Sequence, residues 1–141
     1  MASPHTASGP AHGLWPWLAV DVAALILFAV SGRSTHEHGL SAAGIAATAA
    51  PFVVACVAGW VVLRAWRTPL RLWPTGVGIW ITTVAGGLLL RFLTGGGVAL
   101  SFQVVTLAVL GLLLLLPRVL AAAALRGRRR ALSGRGNQAV R

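Results

Sequence analysis

Four apolar stretches, each about the length of a helix that crosses a bilayer, follow one another with only short connections between them, and together they take up most of the 141 residues. A hydrocarbon core about 30 Å thick needs about 20 mostly apolar residues of helix, and the stretches at about 14–31, 40–63, 75–93 and 98–117 each supply close to that. The rest of the chain cannot make such segments soluble. Apolar residues are 57% of the total, and the charged ones are two acids and twelve arginines, with no lysine to add to a polar surface. A water-soluble domain is therefore excluded, and the apolar side chains face lipid.

The spans are helical rather than strands of a barrel. An open sheet edge finds no hydrogen-bond partner in lipid, and the segments lack the period-two alternation of barrel strands. Pro16 suits a first helical turn, and Trp15 and Trp17 suit the interface. The expected fold is all-α, a four-span transmembrane helical bundle occupying residues 14–125. Residues 1–13, rich in Ser, Pro, Gly, Ala and His, are expected to be disordered, as is the basic tail 126–141. The first span is read as a retained helix and not as a cleaved leader, because no Arg or Lys precedes it and Asp21 interrupts its apolar run.

The arginines orient the bundle. With four spans, both termini and the connection at 64–74 share a side. That side holds Arg64, Arg67, Arg71, Arg118, Arg126, Arg128, Arg129, Arg130, Arg135 and Arg141, against Arg33 and Arg91 on the other. Positive charge accumulates on the cytoplasmic side, so a multi-pass protein of the cell inner membrane with both termini cytoplasmic is expected. The net charge of +10 serves orientation and contact with anionic headgroups near the C-terminal tail rather than nucleic acid, since no aromatic side chain is interleaved with the tail arginines to stack bases. The expected partners are membrane lipids, and another membrane protein or a second copy of the chain.

Lipid gives helices no hydrophobic reason to associate, so close packing rests on small residues. Gly78, Thr82 and Gly86 form one ridge on the third span, beside Thr83 and Gly87. The second span offers Ala42, Ala46 and Ala50, and also Ala55 and Gly59. These are read as packing within the molecule, with a dimer seam as the alternative. Pro51 should bend the second span, because its nitrogen has no hydrogen to donate. The lone cysteine, Cys56, reads as a small buried hydrophobe.

Few residues carry chemistry. Asp21 is the one acid inside a span, and a charge at depth is costly enough to need a partner. Arg64 is the first candidate for an intramembrane ion pair with it, and Arg118 the second. On the opposite side Arg33, His36, His38, Arg91 and Ser101, with Gln103 and the Gly95–Gly97 turn, form a candidate patch for an anion or a lipid headgroup. Arg91 reaching headgroups or pairing with Glu37 is the simpler account of the same residues. His36-Glu37-His38 lacks the spacing of the helical metalloprotease signature, so neither a metal nor another cofactor is expected. No paired acids, nucleophile with a neighbouring base, or phosphate-binding loop is present, and an enzyme is not expected. The functional reading is a structural or accessory membrane component. The alternative is a small-solute or ion transporter using Asp21 and the outer Arg/His patch.

The residues Asp21, Gly32-Arg33-Ser34-Thr35-His36 with Gly39, Trp66-Arg67-Thr68-Pro69, and Arg91-Phe92-Leu93-Thr94 followed by Gly97-Val98-Ala99-Leu100-Ser101-Phe102 form a recognisable set. Over about residues 14–116 the chain resembles an actinobacterial domain-of-unknown-function family of small four-helix membrane proteins. The resemblance implies a membrane fold and no catalytic role for any residue.

Overall fold

A computed structural model describes residues 15–34 and 41–138. They form four long helices: α1 (Trp15–Ser34), α2 (Ala42–Val62), α3 (Val77–Leu93) and α4 (Leu100–Gln138). No strand occurs among the described residues. Each helix packs on its sequence neighbour and α1 also meets α4, so the four close into an up-down-up-down ring. One end of the ring carries the start of α1, the α2–α3 connection and the projecting part of α4, and is called here the terminal end. The other carries the α1–α2 and α3–α4 connections and is called the hairpin end.

Local chemistry sets the helix limits. Ser41 caps α2 by accepting a hydrogen bond from the Gly44 N–H through its side chain (3.1 Å). At the other end Arg64 takes a left-handed conformation (φ 47°, ψ 46°), the geometry in which helices commonly stop, and a short turn of 3-10 helix, Ala65–Arg67, follows. Trp73 is extended (φ −117°, ψ 132°), so the chain over Leu72–Gly76 turns into α3 irregularly rather than entering as helix. Thr94 closes α3 by donating its hydroxyl to the Leu90 carbonyl, and Gly95 supplies the positive φ of 77° that the reversal needs.

The α2–α3 pair has the most extensive contact, and small residues make it possible. A methyl group on Gly86 would lie 2.9 Å from that of Ala55, and one on Gly59 would lie 3.2 Å from the Thr82 side chain. Gly78 accommodates Leu63 and Gly87 receives the ring of Phe52 in the same way. On the next face Trp80 lies over Gly111 and donates its indole N–H to the Leu107 carbonyl (3.0 Å), joining α3 to α4. The core so formed contains Leu25, Phe28, Phe52, Trp60, Ile79 and Leu114. Outward-facing side chains are equally apolar: Leu27, Val54, Val61, Leu89, Val104 and Leu112 are all more than half exposed. A surface of this kind is stable against lipid and not against water.

Helix α4 departs from the sequence expectation. Its 39 residues extend to about 58 Å at 1.5 Å per residue, nearly twice the hydrocarbon thickness. The basic segment from Arg126 to Gln138, expected to be disordered, continues the helix. The reason lies in residues 120–126, an alanine-rich run closed by Leu125 and Arg126, all strong helix formers with no proline beyond Pro117 to stop them. The other helix limits differ from the expected spans by three residues at most.

Candidate functional site

Asp21 stands on the second turn of α1 and is wholly buried. Its partner is Arg118 of α4, and not Arg64. The guanidinium grips the carboxylate with two parallel bonds, Nη1 to Oδ1 and Nη2 to Oδ2, each 2.7 Å. Arg64 is exposed on the outside of the turn that ends α2. Its side chain starts from the end of a helix, whereas Arg118 starts from inside one, at the depth of Asp21. That difference was visible in the sequence: Leu112–Leu116 precede Arg118 and Val119-Leu120 follow it, so it is an arginine with apolar residues on both sides.

Three further groups complete the network. The Trp60 indole N–H donates to Asp21 Oδ2 (2.8 Å). Arg118 also donates from Nη1 to the Leu114 carbonyl (2.7 Å) and from Nε to the Pro69 carbonyl (3.1 Å). Gly76 leaves room for the arginine to pass, since a methyl group there would lie 2.9 Å from Arg118 Cδ. Thus α1, α2, the α2–α3 connection and α4 all meet at one ion pair, which acts as a latch on the terminal end. A buried ion pair of this kind repays its desolvation only when further hydrogen bonds satisfy its donors and acceptors, and here four of the five guanidinium N–H groups and both carboxylate oxygens are engaged. Trp60, Pro69 and Gly76 had not been linked to Asp21 by sequence. A tryptophan and a glycine in apolar spans carry no mark of the charge they serve.

The hairpin end is built differently. Arg33 near the end of α1 and Arg91 near the end of α3, both half-buried, line one open cavity of about 630 Å³. Ala47, Thr48, Ala50, Pro51 and Val54 of α2 form much of its wall, and Leu90 and the Thr94–Gly96 turn close it. Arg91 donates from Nε to the Gly97 carbonyl (3.0 Å), and its guanidinium carbon lies 4.8 Å from the centre of the Phe102 ring. The Arg33 guanidinium rests on Gly44, where any side chain would collide with it. Ser101 is exposed and does not line the cavity, and Gln103 is engaged with the Val98 carbonyl (2.8 Å). His36 and His38 lie outside the described residues.

Between the two ends sits an aromatic cluster. Phe28 and Phe52 meet edge to face with centroids 5.5 Å apart, and Phe102 lies 6.3 and 6.4 Å from them. Cys56 is buried in the same core. Thr83 and Thr106, also fully buried, have hydroxyls without a hydrogen-bond partner among the described residues. No three His, Cys, Asp or Glu side chains gather as a metal-ligand set among those residues.

Four helices long and apolar enough to cross a membrane, lipid-facing apolar surfaces and a charge neutralised in the interior define a multi-pass helical membrane protein. The chain belongs to the DUF3054 family of proteins of unknown function, whose family model matches residues 18–121. That stretch contains the whole latch and both arginines of the cavity. No curated protein and no solved structure matches the chain significantly.

Proposed function

We propose that this protein is a non-catalytic accessory component of the cytoplasmic membrane, a rigid four-helix element with both termini on the cytoplasmic side. The observation that carries the reading is the state of Asp21. A carboxylate that moves protons or cations has to exchange partners during its cycle, whereas this one accepts three hydrogen bonds, two of them from a guanidinium that does not deprotonate. Opening the latch would strand a charge in the interior. Phe28, Phe52 and Phe102 fill the axis between the latch and the outer cavity, where the alternative, a transporter of small solutes or ions, requires a polar path.

The ten-to-two division of arginines supports the orientation. In this reading Arg126, Arg128, Arg129 and Arg130, exposed on the projecting part of α4, meet anionic headgroups of the inner leaflet. The partner in this reading is another membrane protein or a second copy of the chain. Purification in mild detergent followed by reconstitution tests it. A stoichiometric partner, together with liposomes no leakier to protons, sodium or small solutes than empty ones, is the expected result. A lone protein that carries solute overturns it. Reporter fusions at positions 70 and 135 should both read cytoplasmic.

A further inference from the structure

We propose that the α2–α3 connection is a docking plate for an anionic membrane surface, in which Arg64, Arg67 and Arg71 bind lipid phosphates while Trp66 and Trp73 sit among the headgroups and the upper chain carbons. The proposal needs only that the helices stand in a bilayer, so it does not rest on the accessory reading.

The connection is fastened from within. Ala65 and Thr75 are buried, the Thr68 and Thr75 hydroxyls are joined at 2.8 Å, and the Pro69 carbonyl is tied to Arg118 of the latch (3.1 Å). The backbone N–H groups of Arg67, Arg71 and Gly76 donate to the carbonyls of Arg64, Thr68 and Arg71 (2.9, 3.1 and 2.9 Å), closing one turn after another. A segment held in this way cannot rise from the helix ends to meet a partner in water. It stays at the level where α2 ends at Val62 and the next apolar span begins at Leu72, which is the edge of the hydrocarbon layer and the depth of the headgroups.

The side chains that face outward fit that depth. Arg64, Arg67 and Arg71 are exposed, and among the described residues none of them forms an ion pair or a side-chain hydrogen bond. A guanidinium grips phosphate with two parallel bonds. Three arginines alone would suit an acidic protein as well as a lipid, and the residues between them separate the two. Trp73 is 74% exposed, and Trp66 and Leu72 are each more than a third exposed. Trp60 and Trp80 spend their indole N–H groups inside the fold, whereas Trp66 and Trp73 donate to nothing among the described residues. In water these rings would lose the benefit of apolar burial. At a bilayer surface each ring covers chain carbons while its N–H meets an ester or phosphate oxygen. Exposed tryptophan interleaved with exposed arginine, on a segment held at the end of two spans, therefore selects a surface of anionic lipid.

The test uses the full-length protein, purified in neutral detergent, stripped of lipid and titrated with phosphatidylglycerol or phosphatidylcholine, with binding read by native mass spectrometry and by the shift in thermal unfolding. Phosphatidylglycerol should bind more tightly, and added salt should narrow the difference. Arg67→Gln and Arg71→Gln should each lower its affinity about fivefold, which corresponds to about 1 kcal/mol per arginine at an anionic surface. The triple variant Arg64→Gln/Arg67→Gln/Arg71→Gln should unfold close to the wild-type temperature in neutral detergent and lose most of the preference for phosphatidylglycerol, whereas Arg91→Gln at the far end should keep it. In vesicles, phosphatidylglycerol brominated near the top of its chains should quench tryptophan emission, and Trp73→Phe should remove part of the quenched intensity. Equal binding of the two lipids would overturn the proposal. A preference that survives the triple variant and disappears in Arg128→Gln/Arg130→Gln would overturn it in favour of the projecting part of α4. Quenched intensity unchanged by Trp73→Phe would place that ring in water and overturn it as well.

Discussion

The two ends of this bundle put the same side chain to opposite uses. At the terminal end Arg118 is sealed, with its guanidinium bound to Asp21 and to two backbone carbonyls and only 1% of its surface exposed. At the hairpin end Arg33 and Arg91 are half-buried at the rim of an open cavity, and Arg91 is held there by its Nε bond to the Gly97 carbonyl and its contact with Phe102. Burial forces the difference. An arginine deep inside the bundle must have its charge cancelled and its donors filled within the fold. One at the rim can be satisfied by something outside it. The first arrangement ties the helices together and the second leaves the charge at the surface of the bundle, so an arginine in a membrane span is informative only when its complement is known.

The largest expected effect comes from opening the closed end. Asp21→Asn leaves Arg118 buried without a counter-charge and should cost about 3–5 kcal/mol, measured by thermal or denaturant unfolding in detergent. Arg118→Gln should cost a similar amount from the other side. The pair Asp21→Leu/Arg118→Met should recover much of the loss, because a well-packed apolar replacement is often as stable as the ion pair. A single substitution without effect would show that the latch does not hold the bundle together.

Trp60→Phe comes next. It keeps the ring in the core and deletes only the donor to Asp21 Oδ2, a bond to a charged acceptor, so a loss of about 1.5–3 kcal/mol is expected. In an Asp21→Leu/Arg118→Met background the same substitution should cost clearly less. Equal cost in both backgrounds would assign the indole to packing alone and detach it from the latch.

Arg91→Gln sharpens the other half of the comparison. The variant gives up the Gly97 bond and the contact with Phe102, both at the rim, and should lose only about 1 kcal/mol of stability. If it destabilised the protein as much as Asp21→Asn, the hairpin end too would be a structural lock.

These expectations also show why the sequence disclosed some of the molecule and withheld the rest. Span number and helical class follow from hydropathy and from the need to satisfy every backbone group in lipid, which are properties of the chain itself. The end of the third span at Leu93 is local and nearly as plain, whereas the Ser41 cap lay just inside the expected second span. The latch joins Asp21 to a residue 97 positions away; the apolar flanks of Arg118 marked it as an arginine at depth, but that it meets Asp21 depends on which face of α4 turns inward, a tertiary fact. The cavity was half legible. Arg33 and Arg91 stood out as charges at span ends, but much of the wall between them comes from α2, where Ala50 was expected to pack between helices and Ala47 and Val54 carried no mark. Helix α4 misled for a different reason: charge and glycine suggested disorder, while intrinsic helix propensity continued the helix.

Arg64→Gly is the smallest expected effect and discriminates between the two arginines that compete for Asp21. Were Arg64 the ionic partner, replacing it would strand the carboxylate and cost as much as Asp21→Asn. In the structure Arg64 is exposed and occupies a left-handed conformation that penalises a side chain by about 1–2 kcal/mol and suits glycine at the end of a helix. Glycine removes that strain but gives the unfolded chain more freedom, and the two terms nearly offset. A stabilisation of about 0.5 kcal/mol is therefore expected, seen as a small rise in unfolding temperature with the coupling between Asp21 and Arg118 intact. A fall of several kcal/mol would place the missing charge at the carboxylate after all and return the terminal end to the Asp21–Arg64 pair expected first from the sequence.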